Sequence, residues 1–575
     1  MSELYLGNEA VARGLWEAGA SVISSYPGTP STEITEYAAT YKDMYSEWAP
    51  NEKVAVEVSI GASIAGVRAF SAMKHVGLNV AADPLYTASY TGVNGGLVIA
   101  VADDPGMHSS QNEQDSRGHA KTSKVPMLEP SDSQECLDFT KEAFRLSEEY
   151  DTPVLLRLST RVSHSRSLCE TGSREKPPRR EYKRDVQKYV MMPAMARGRH
   201  MVVEQRTEQL RLLAETSPLN KVELHDRRIG VISSGAAYQY AKEALGERAS
   251  YLKLGMAYPL PVELIKDFAA KVDTLYVVEE LDPFIEEHCK AHGIKVVGKK
   301  LFPLCGELSQ RIVREKLLGE EPETMQVPQE LPGRPPVMCA GCPHRGLFYA
   351  LKKTGAYVSG DIGCYTLGAG APLAGLDSTV CMGASVSGAH GFYKACGGDR
   401  PVVAVIGDST FVHSGITGLI GVAYNKSSTL TVILDNSITG MTGHQQNPAT
   451  GITLSGEATA SVDLEALCKA VGIGRVRVCD PYDLPGTIAA VEEEIAAEGA
   501  SVLISRRPCA LLKSVKHRPA LRVDAAKCTG CKACLQIGCP AVRYHGKKAA
   551  IDRDQCVGCG QCVSLCRFGA IGGEE

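Results

Sequence analysis

The chain has 575 residues, 44% of them hydrophobic and 6% aromatic, and a formal net charge of −4. It is too long for a single core, and length alone suggests about four domains. The charge gives no reason to expect nucleic acid or an anionic membrane as the main partner, and no run approaches the ~18 apolar residues of a membrane span. The opening "MSELYLGNEAVARGL" carries Glu3 and Glu9 and no apolar core, so no secretory signal is expected and a cytoplasmic location is.

Residues 1–171 read as the first block. "GNEAVARGLWEAGASVISSYPGTPSTEITEYAA" suggests helix, short strand, Pro/Gly turn and helix, and "GGLVIAVADDPG" and "TPVLLRLSTRV" are buried-strand candidates. This alternation predicts an α/β fold with parallel, helix-covered sheets. Residues 172–225 read as a linker, with nine Lys/Arg between Arg174 and Arg199; they make either a solvated connection or a docking segment for a partner or phosphate. A small α/β unit follows at 226–318, then a Pro- and Glu-rich linker at 319–336 and a third α/β block at 337–514. The cysteine-dense tail, 515–575, closes the chain.

In the third block, "PVVAVIGDS" ends an apolar strand on Gly407, Asp408 and Ser409. "TLTVILDNSITG" ends another on Asn436, and the chain between has room for one helix and a return strand. Ligands of a doubly wound sheet sit outside the carboxyl ends of its strands. Carboxylate, amide oxygen and carbonyl are hard ligands that suit Mg²⁺, which in turn favours phosphate oxygens. The pair resembles the thiamine diphosphate motif, Gly-Asp-Gly followed one helix and one strand later by Asn. It departs from it at Ser409 and in having "DNS". The resemblance implies Asp408, Asn436 and the Ile438 carbonyl as metal ligands. It also implies a carboxylate for the aminopyrimidine ring, in the pattern Glu followed nine residues later by Gly in an Ala-rich helix. "EVSIGASIAG" supplies Glu57 and Gly66; an ordinary helix with an exposed glutamate is the plain alternative.

Of the 20 cysteines, eight lie between Cys528 and Cys566. Without an export signal, such density points to metal rather than disulfides. "CTGCKACLQIGCP" and "CVGCGQCVSLC" look like a bacterial ferredoxin with two 4Fe–4S clusters, in which the distant fourth cysteine of each run serves the other cluster. One cluster is then expected on Cys528, Cys531, Cys534 and Cys566, and its twin on Cys539, Cys556, Cys559 and Cys562. Departures are the extra residue before Cys539 and Arg567 where proline is usual. Zinc is the alternative for four thiolates.

A thiamine site joined to a ferredoxin module resembles the 2-oxoacid:ferredoxin oxidoreductases, and within them the large subunits of the indolepyruvate enzymes. The resemblance covers essentially the whole length. It is carried by "SSYPGTPSTEI", "DDPGMHSSQNEQDSR", "CAGCPHRG", "GDIGCYTLG", "CMGASVSGAHG" and "LDNSITGMTGHQQNP", together with the irregular gap before Cys539. It implies a pyrimidine-binding domain at 1–171, a transketolase C-terminal-like domain at 226–318, a diphosphate-binding domain at 337–514 and a ferredoxin-type domain at 515–575.

The reaction implied is oxidation of an aryl 2-oxoacid such as indolepyruvate with coenzyme A, through a thiamine enamine oxidised one electron at a time by the clusters. Products would be aryl-acetyl-CoA, carbon dioxide and reduced ferredoxin. Partners implied are a smaller β subunit, in a dimer of α–β pairs, and ferredoxin. Glu57 would start ylide formation and Thr29 would face the substrate, a turn-forming threonine being the alternative. Gly363, Met382, Gly383, Gly407 and Ser409 would shape the cofactor cradle, with close helix–strand packing the other account of the glycines. His108, Arg117, His413 and His444 are polar candidates for which a structural or solvent role is the plainer reading.

Cys339, Cys342, Cys364 and Cys509 resemble a set that holds a cluster near thiamine in related enzymes; buried small-hydrophobe cysteines are the alternative. About twelve irons per chain would favour this third cluster, and about eight would rule it out. Two rival functions stay open. One is a non-oxidative aryl-pyruvate decarboxylase, against which the tail counts. The other is an electron-transfer subunit without its own catalytic site, against which Glu57, Asp408 and Asn436 count.

Overall fold

The structure, a computed structural model, describes residues 2–321, 323, 325 and 331–573, so the linker read at 319–336 falls partly outside the described residues. It divides into two compact units, Met1–Val327 and Pro328–Glu575.

In the first unit, β1 (Ser2–Leu6) pairs antiparallel with β8 (Arg166–Glu170). Between them run β2 (Val22–Ser25), β3 (Tyr45–Trp48), β4 (Ala69–Lys74), β5 (Leu97–Asp103), β6 (Met127–Leu128) and β7 (Val154–Ser159). Further on come β9 (Lys221–Glu223), β10 (Ile229–Ser233), β11 (Ser250–Lys253), β12 (Met256–Tyr258) and β13 (Thr274–Val278). The main sheet has the order β12-β6-β7-β5-β4-β2-β3. All its pairs are parallel except that of β12 with β6. Every residue of β5 is buried, because helices cover both faces of the sheet and an unbroken apolar run serves both. One consequence is topological: β12 comes from the block read as a separate small domain, yet it completes the edge of the first sheet. The remaining strands form a four-stranded sheet, β13-β10-β11-β9.

Residues 172–225, expected to be a linker, are instead a strap. Arg174 donates to the Trp16 and Ala20 carbonyls, Arg180 to Asn94, Lys188 to Val93 and Arg199 to Tyr90. Helix Pro193–Thr216 follows, burying Val203, Leu210 and Ala214. The basic side chains thus answer main-chain carbonyls of the first block, which composition does not reveal.

The second unit holds β14 (Tyr357–Gly360), β15 (Ser378–Thr379), β16 (Val402–Gly407), β17 (Leu430–Asp435), β18 (Arg475–Cys479) and β19 (Ser501–Arg506). They form one wholly parallel sheet in the order β15-β14-β16-β17-β19-β18. Each face carries its own core, one around Phe348, Val403 and Leu503 and the other around Phe411, Ile406 and Ile504. The tail adds two small antiparallel pairs: β20 (Arg522–Val523) with β23 (Ile571–Gly572), and β21 (Val542–His545) with β22 (Lys548–Ile551). Its small core contains Cys534, Cys562, Ile537 and Ile571. Among the described residues no helix is long and apolar enough to cross a membrane.

Candidate active site and redox centres

Strands β16 and β17 are paired neighbours, with Gly407 opposite Leu434, so Asp408 and Asn436 leave the sheet at the same carboxyl edge. The chain turns into helix at Asp408 and passes through a π-helical turn at Phe411–Gly415, a distortion common at functional sites. Asp408 is buried, and its Oδ1 accepts from the Ser409 N–H at 2.8 Å while Oδ2 has no partner. Burial, reinforced by the Asp435 carboxylate, pushes its acid up to about 7.

The Asn436 amide, turned with its NH₂ inward, would donate to the Ile438 carbonyl (2.8 Å) and Asp408 Oδ1 (3.3 Å); as it stands its oxygen faces both. With the amide oxygen inward, the Asp408 carboxylate, the Asn436 amide oxygen and the Ile438 carbonyl converge. A hard cation resolves such a cluster, so the donor set fits Mg²⁺. Beside it Thr439 Oγ1 donates to Ser409 Oγ at 2.9 Å, and Asn447 Nδ2 reaches Thr439 Oγ1 at 3.4 Å.

The expected cradle glycines have packing reasons of their own. A Cβ on Gly363 or Gly407 would meet the Tyr365 ring at 2.3 or 2.8 Å, and one on Gly383, at φ +84°, would meet Ser414 Oγ at 2.3 Å. Met382 contributes its carbonyl to Ser414 Oγ at 2.9 Å. Buried Asp361 accepts the N–H groups of Gly383 and Ser385, both at 2.9 Å. These two donors at the start of helix Ala384–Cys396 are therefore already engaged.

In the first unit, the loops that leave the carboxyl edge of the sheet carry Thr29, Glu52, Lys74 and the segment 104–116. Ser109 Oγ donates to the Thr29 carbonyl at 3.3 Å, and Lys74 Nζ to the Ser109 carbonyl at 2.8 Å. Glu52 opens helix Glu52–Ile64 directly after β3 and is buried; a Cβ on Gly77 would lie 2.5 Å from its Oε1. Glu57 lies further along that helix, away from the edge, with its side chain 44% exposed and ion-paired to Lys53. Glu57, expected to serve the aminopyrimidine ring, thus lies away from the carboxyl edge, and the buried carboxylate at that edge is Glu52.

The four polar candidates are mostly committed. Arg117 is buried against Asp115 (2.5 Å) and Glu279 (2.7 Å), and His108 faces Glu307 at 3.4 Å. His413 is buried with Nδ1 2.9 Å from Ser414 Oγ, and His444 Nε2 lies 3.9 Å from Cys509 Sγ.

The tail cysteines fall into two groups. One cavity is lined by Cys528, Cys531, Cys534 and Cys566, another by Cys539, Cys556, Cys559 and Cys562. The remaining set also gathers. Burial pushes the Cys342 thiol up to about 12, with Cys364 and Cys339 adding to it. Cys364 is raised likewise, by burial and then by Cys509 and Cys339. Among the described residues no three Cys, His, Asp or Glu side chains close on a single ion.

The cysteine sets are also linked to the strand-end site. The Cys509 N–H donates to the Asn436 carbonyl at 3.0 Å. On the other side, Gln561 Nε2 donates to the Cys342 carbonyl at 3.3 Å, and Arg345 spans the carbonyls of Cys339 and Gly538.

Comparison with known proteins fits these parts. The model for "Pyruvate flavodoxin/ferredoxin oxidoreductase, thiamine diP-bdg" matches residues 13–217. That for "Thiamine pyrophosphate enzyme, C-terminal TPP binding domain" matches 347–505, and "4Fe-4S dicluster domain" matches 520–567. Indolepyruvate oxidoreductase subunit IorA of Archaeoglobus fulgidus is 41% identical over 98% of this chain and 96% of that one. The Pyrococcus horikoshii subunit is 42% identical over 99% and 96%. The chain belongs to the indolepyruvate oxidoreductase subunit IorA family. A solved 2-oxoglutarate:ferredoxin oxidoreductase from Magnetococcus marinus aligns at 18% identity and TM-score 0.47, covering 55% of this chain and 65% of that one.

As an IorA-family member the chain is an oxidoreductase of 2-oxoacids with an iron–sulfur acceptor, and its cofactors are thiamine diphosphate and two 4Fe–4S clusters. For this IorA-family chain, sequence reasoning missed Glu52, Asp361, Asn447 and Lys74. Glu52 carried a signal: it follows Asn51, which caps the helix by accepting the Val54 N–H at 2.9 Å, and a helix start after a strand marks the ligand edge.

Proposed function

We propose that this chain is the large subunit of a complex that oxidises aryl 2-oxoacids, indolepyruvate among them, in the cytoplasm. The balanced reaction joins the 2-oxoacid, coenzyme A and two oxidised ferredoxins to give aryl-acetyl-CoA, carbon dioxide, two reduced ferredoxins and a proton. The observation that carries this reading is the position of Cys339, Cys342, Cys364 and Cys509, between Asn436 on one side and the tail cysteines on the other. A non-oxidative decarboxylase has no use for that continuity.

Thiamine diphosphate, when bound, supplies the carbanion chemistry by which a 2-oxoacid loses carbon dioxide. The chain's own residues do the rest. Asp408, Asn436 and the Ile438 carbonyl would hold Mg²⁺ for the diphosphate; Ser409, Thr439 and Asn447 orient Asp408 and the loop. Gly363, Met382, Gly383 and Gly407 let the cradle walls approach. Asp361 fixes the start of helix Ala384–Cys396. Glu52, in place of Glu57, supplies the carboxylate that hydrogen-bonds the pyrimidine ring, and Thr29 faces the substrate.

Cys339, Cys342, Cys364 and Cys509 would hold a third 4Fe–4S cluster, Cys539, Cys556, Cys559 and Cys562 a second, and Cys528, Cys531, Cys534 and Cys566 another; such clusters would supply one-electron transfer towards ferredoxin. Gln561 and Arg345 link the first of these cysteine sets to the tail. A smaller β subunit completes the enzyme, as a dimer of α–β pairs.

The test is product analysis on the anaerobically purified two-subunit complex given indolepyruvate, coenzyme A and ferredoxin. Two reduced ferredoxins per aryl-acetyl-CoA are expected. Aldehyde release without ferredoxin reduction would sink the reading, and an active complex without thiamine would return the chain to an electron carrier.

A further inference from the structure

The carboxyl edge of the first sheet is crowded with charge, and nearly all of it is matched. Arg117 is met by Asp115 and Glu279, Arg161 and His108 by Glu307, His164 by Glu33, and Lys53 by Glu57. Lys74, the last residue of β4, is the exception among the described cations of these loops. Its Nζ donates to the Ser109 carbonyl at 2.8 Å and makes no ion pair with a carboxylate.

Its surroundings are those of a binding position rather than a surface. The loop bearing Thr29 runs over it, so that a Cβ on Gly28 would stand 3.4 Å from the Lys74 Cβ. Ser109, whose carbonyl accepts this hydrogen bond, donates through its hydroxyl to the Thr29 carbonyl. The charged groups facing it are Asp104, after β5, and Glu52, on the helix after β3; both act at a distance. Asp104 already accepts from Ser110 Oγ (2.7 Å), Thr160 Oγ1 (2.6 Å) and the Ser109 N–H (2.9 Å). His75 beside it is buried, faces the Asn112 carbonyl at 3.1 Å, and is held neutral because burial pushes its pKa down to about 4. A half-buried ammonium with one neutral acceptor retains donors and charge for an anion.

We propose that Lys74 binds the carboxylate of the 2-oxoacid substrate. This rests on the reading above, in which the edge bearing Thr29 and Glu52 faces the substrate. The substrate's single negative charge then meets the cation that the fold leaves unmatched, while Glu52 serves the cofactor ring. Burial pushes the Lys74 ammonium down to about 8 against the pull of Asp104 and Glu52, so it is mostly charged at neutral pH and loses its proton above about pH 8.

The test uses the active two-subunit complex and a matched pair of competitive inhibitors, indole-3-propanoate and indole-3-propanamide, which differ chiefly in charge. Wild type should bind the acid roughly 10- to 100-fold more tightly than the amide, the range expected of a charge-assisted hydrogen bond. That preference should fade as pH rises through about 8. Lys74→Met should equalise the two inhibitors and raise KM for indolepyruvate with a smaller change in kcat, whereas Lys74→Arg should keep the preference and carry it to higher pH. An unchanged acid-to-amide ratio in Lys74→Met would overturn the proposal. So would a wild-type ratio flat from pH 7 to 10, a reading that needs no variant to fold. If wild type oxidises no aryl 2-oxoacid, the functional reading fails instead, and the two failures are distinct.

Discussion

The main sheets of the two units have edges with opposite endowments. At the edge of the first unit, acids and bases answer one another: Arg117 with Asp115 and Glu279, Arg157 with Asp103 and Glu129. At the edge of the second, Asp408, Asn436 and Ile438 bring three oxygens together, with Asp408 Oδ2 lacking any partner. Buried polar groups normally find partners; at the second edge the converging oxygens form a donor set that fits a hard cation, whereas at the first edge most charges are paired even though Asp103 Oδ1, like Asp408 Oδ2, lacks a partner. A closed network fixes the geometry of loops; an open one binds. What distinguishes a site from scaffolding here is the group left over after pairing.

The contrast can be broken by mutation, and the largest effect is expected in the second unit. Cys364→Ser should remove four irons per chain and cut ferredoxin reduction by at least ~100-fold while thiamine diphosphate stays bound. Iron analysis and ferredoxin kinetics read both, and unchanged iron would remove the third cluster. Next comes the choice between two glutamates. Glu52→Gln should lower kcat by roughly 10²- to 10⁴-fold, the range for a positioned acid–base group, and Glu57→Gln, which breaks only an exposed i,i+4 pair, by less than about twofold. The reverse ranking would restore the sequence-based assignment.

Much of the second unit is legible in the sequence because its signals are local. Apolar runs ending on Asp408 and Asn436, with room between them for one helix, place both at one edge of a parallel sheet. The eight tail cysteines are legible through covalent spacing alone. The first unit yields less. Its partners are distant in sequence: Arg117 reaches forward to Glu279, and the basic strap reaches far back, Arg180 to the Asn94 carbonyl and Lys188 to that of Val93. The strand that precedes Glu52 is only Tyr45–Trp48, too short to announce its end. Glu57 and Gly66 match the expected pattern of types, but the pattern carries no information on which turn of the helix meets the edge. Asp361 is hidden for a similar reason, since its partners Gly383 and Ser385 come only after the next strand, β15.

Smaller effects sharpen the comparison further. Near the junction of the first unit's two sheets, burial pushes the Glu280 acid up to about 7, opposed by the Leu308 N–H. A raised folded pKa means stability present below the unfolded value near 4.5 and lost as pH rises through about 7. The melting temperature of Glu280→Gln should therefore gain on wild type between pH 5 and 8, by the equivalent of up to about 3 kcal/mol; a margin independent of pH would show that this acid ionises freely. The smallest effect is expected at Gln561, whose amide donates to the Cys342 carbonyl. Gln561→Leu should slow intramolecular reduction of the tail clusters a few-fold with iron content unchanged, as followed by freeze-quench spectroscopy after mixing with substrate.

The claim beneath the rest is that the unmatched oxygens at the second edge hold the cation that retains the cofactor. It is tested by thiamine diphosphate content per chain in wild type and Asp408→Ala, each purified with magnesium, with iron content as the internal measure of folding. About one cofactor per chain in wild type and none in Asp408→Ala, at equal iron, is the predicted result. Equal cofactor in both would contradict it.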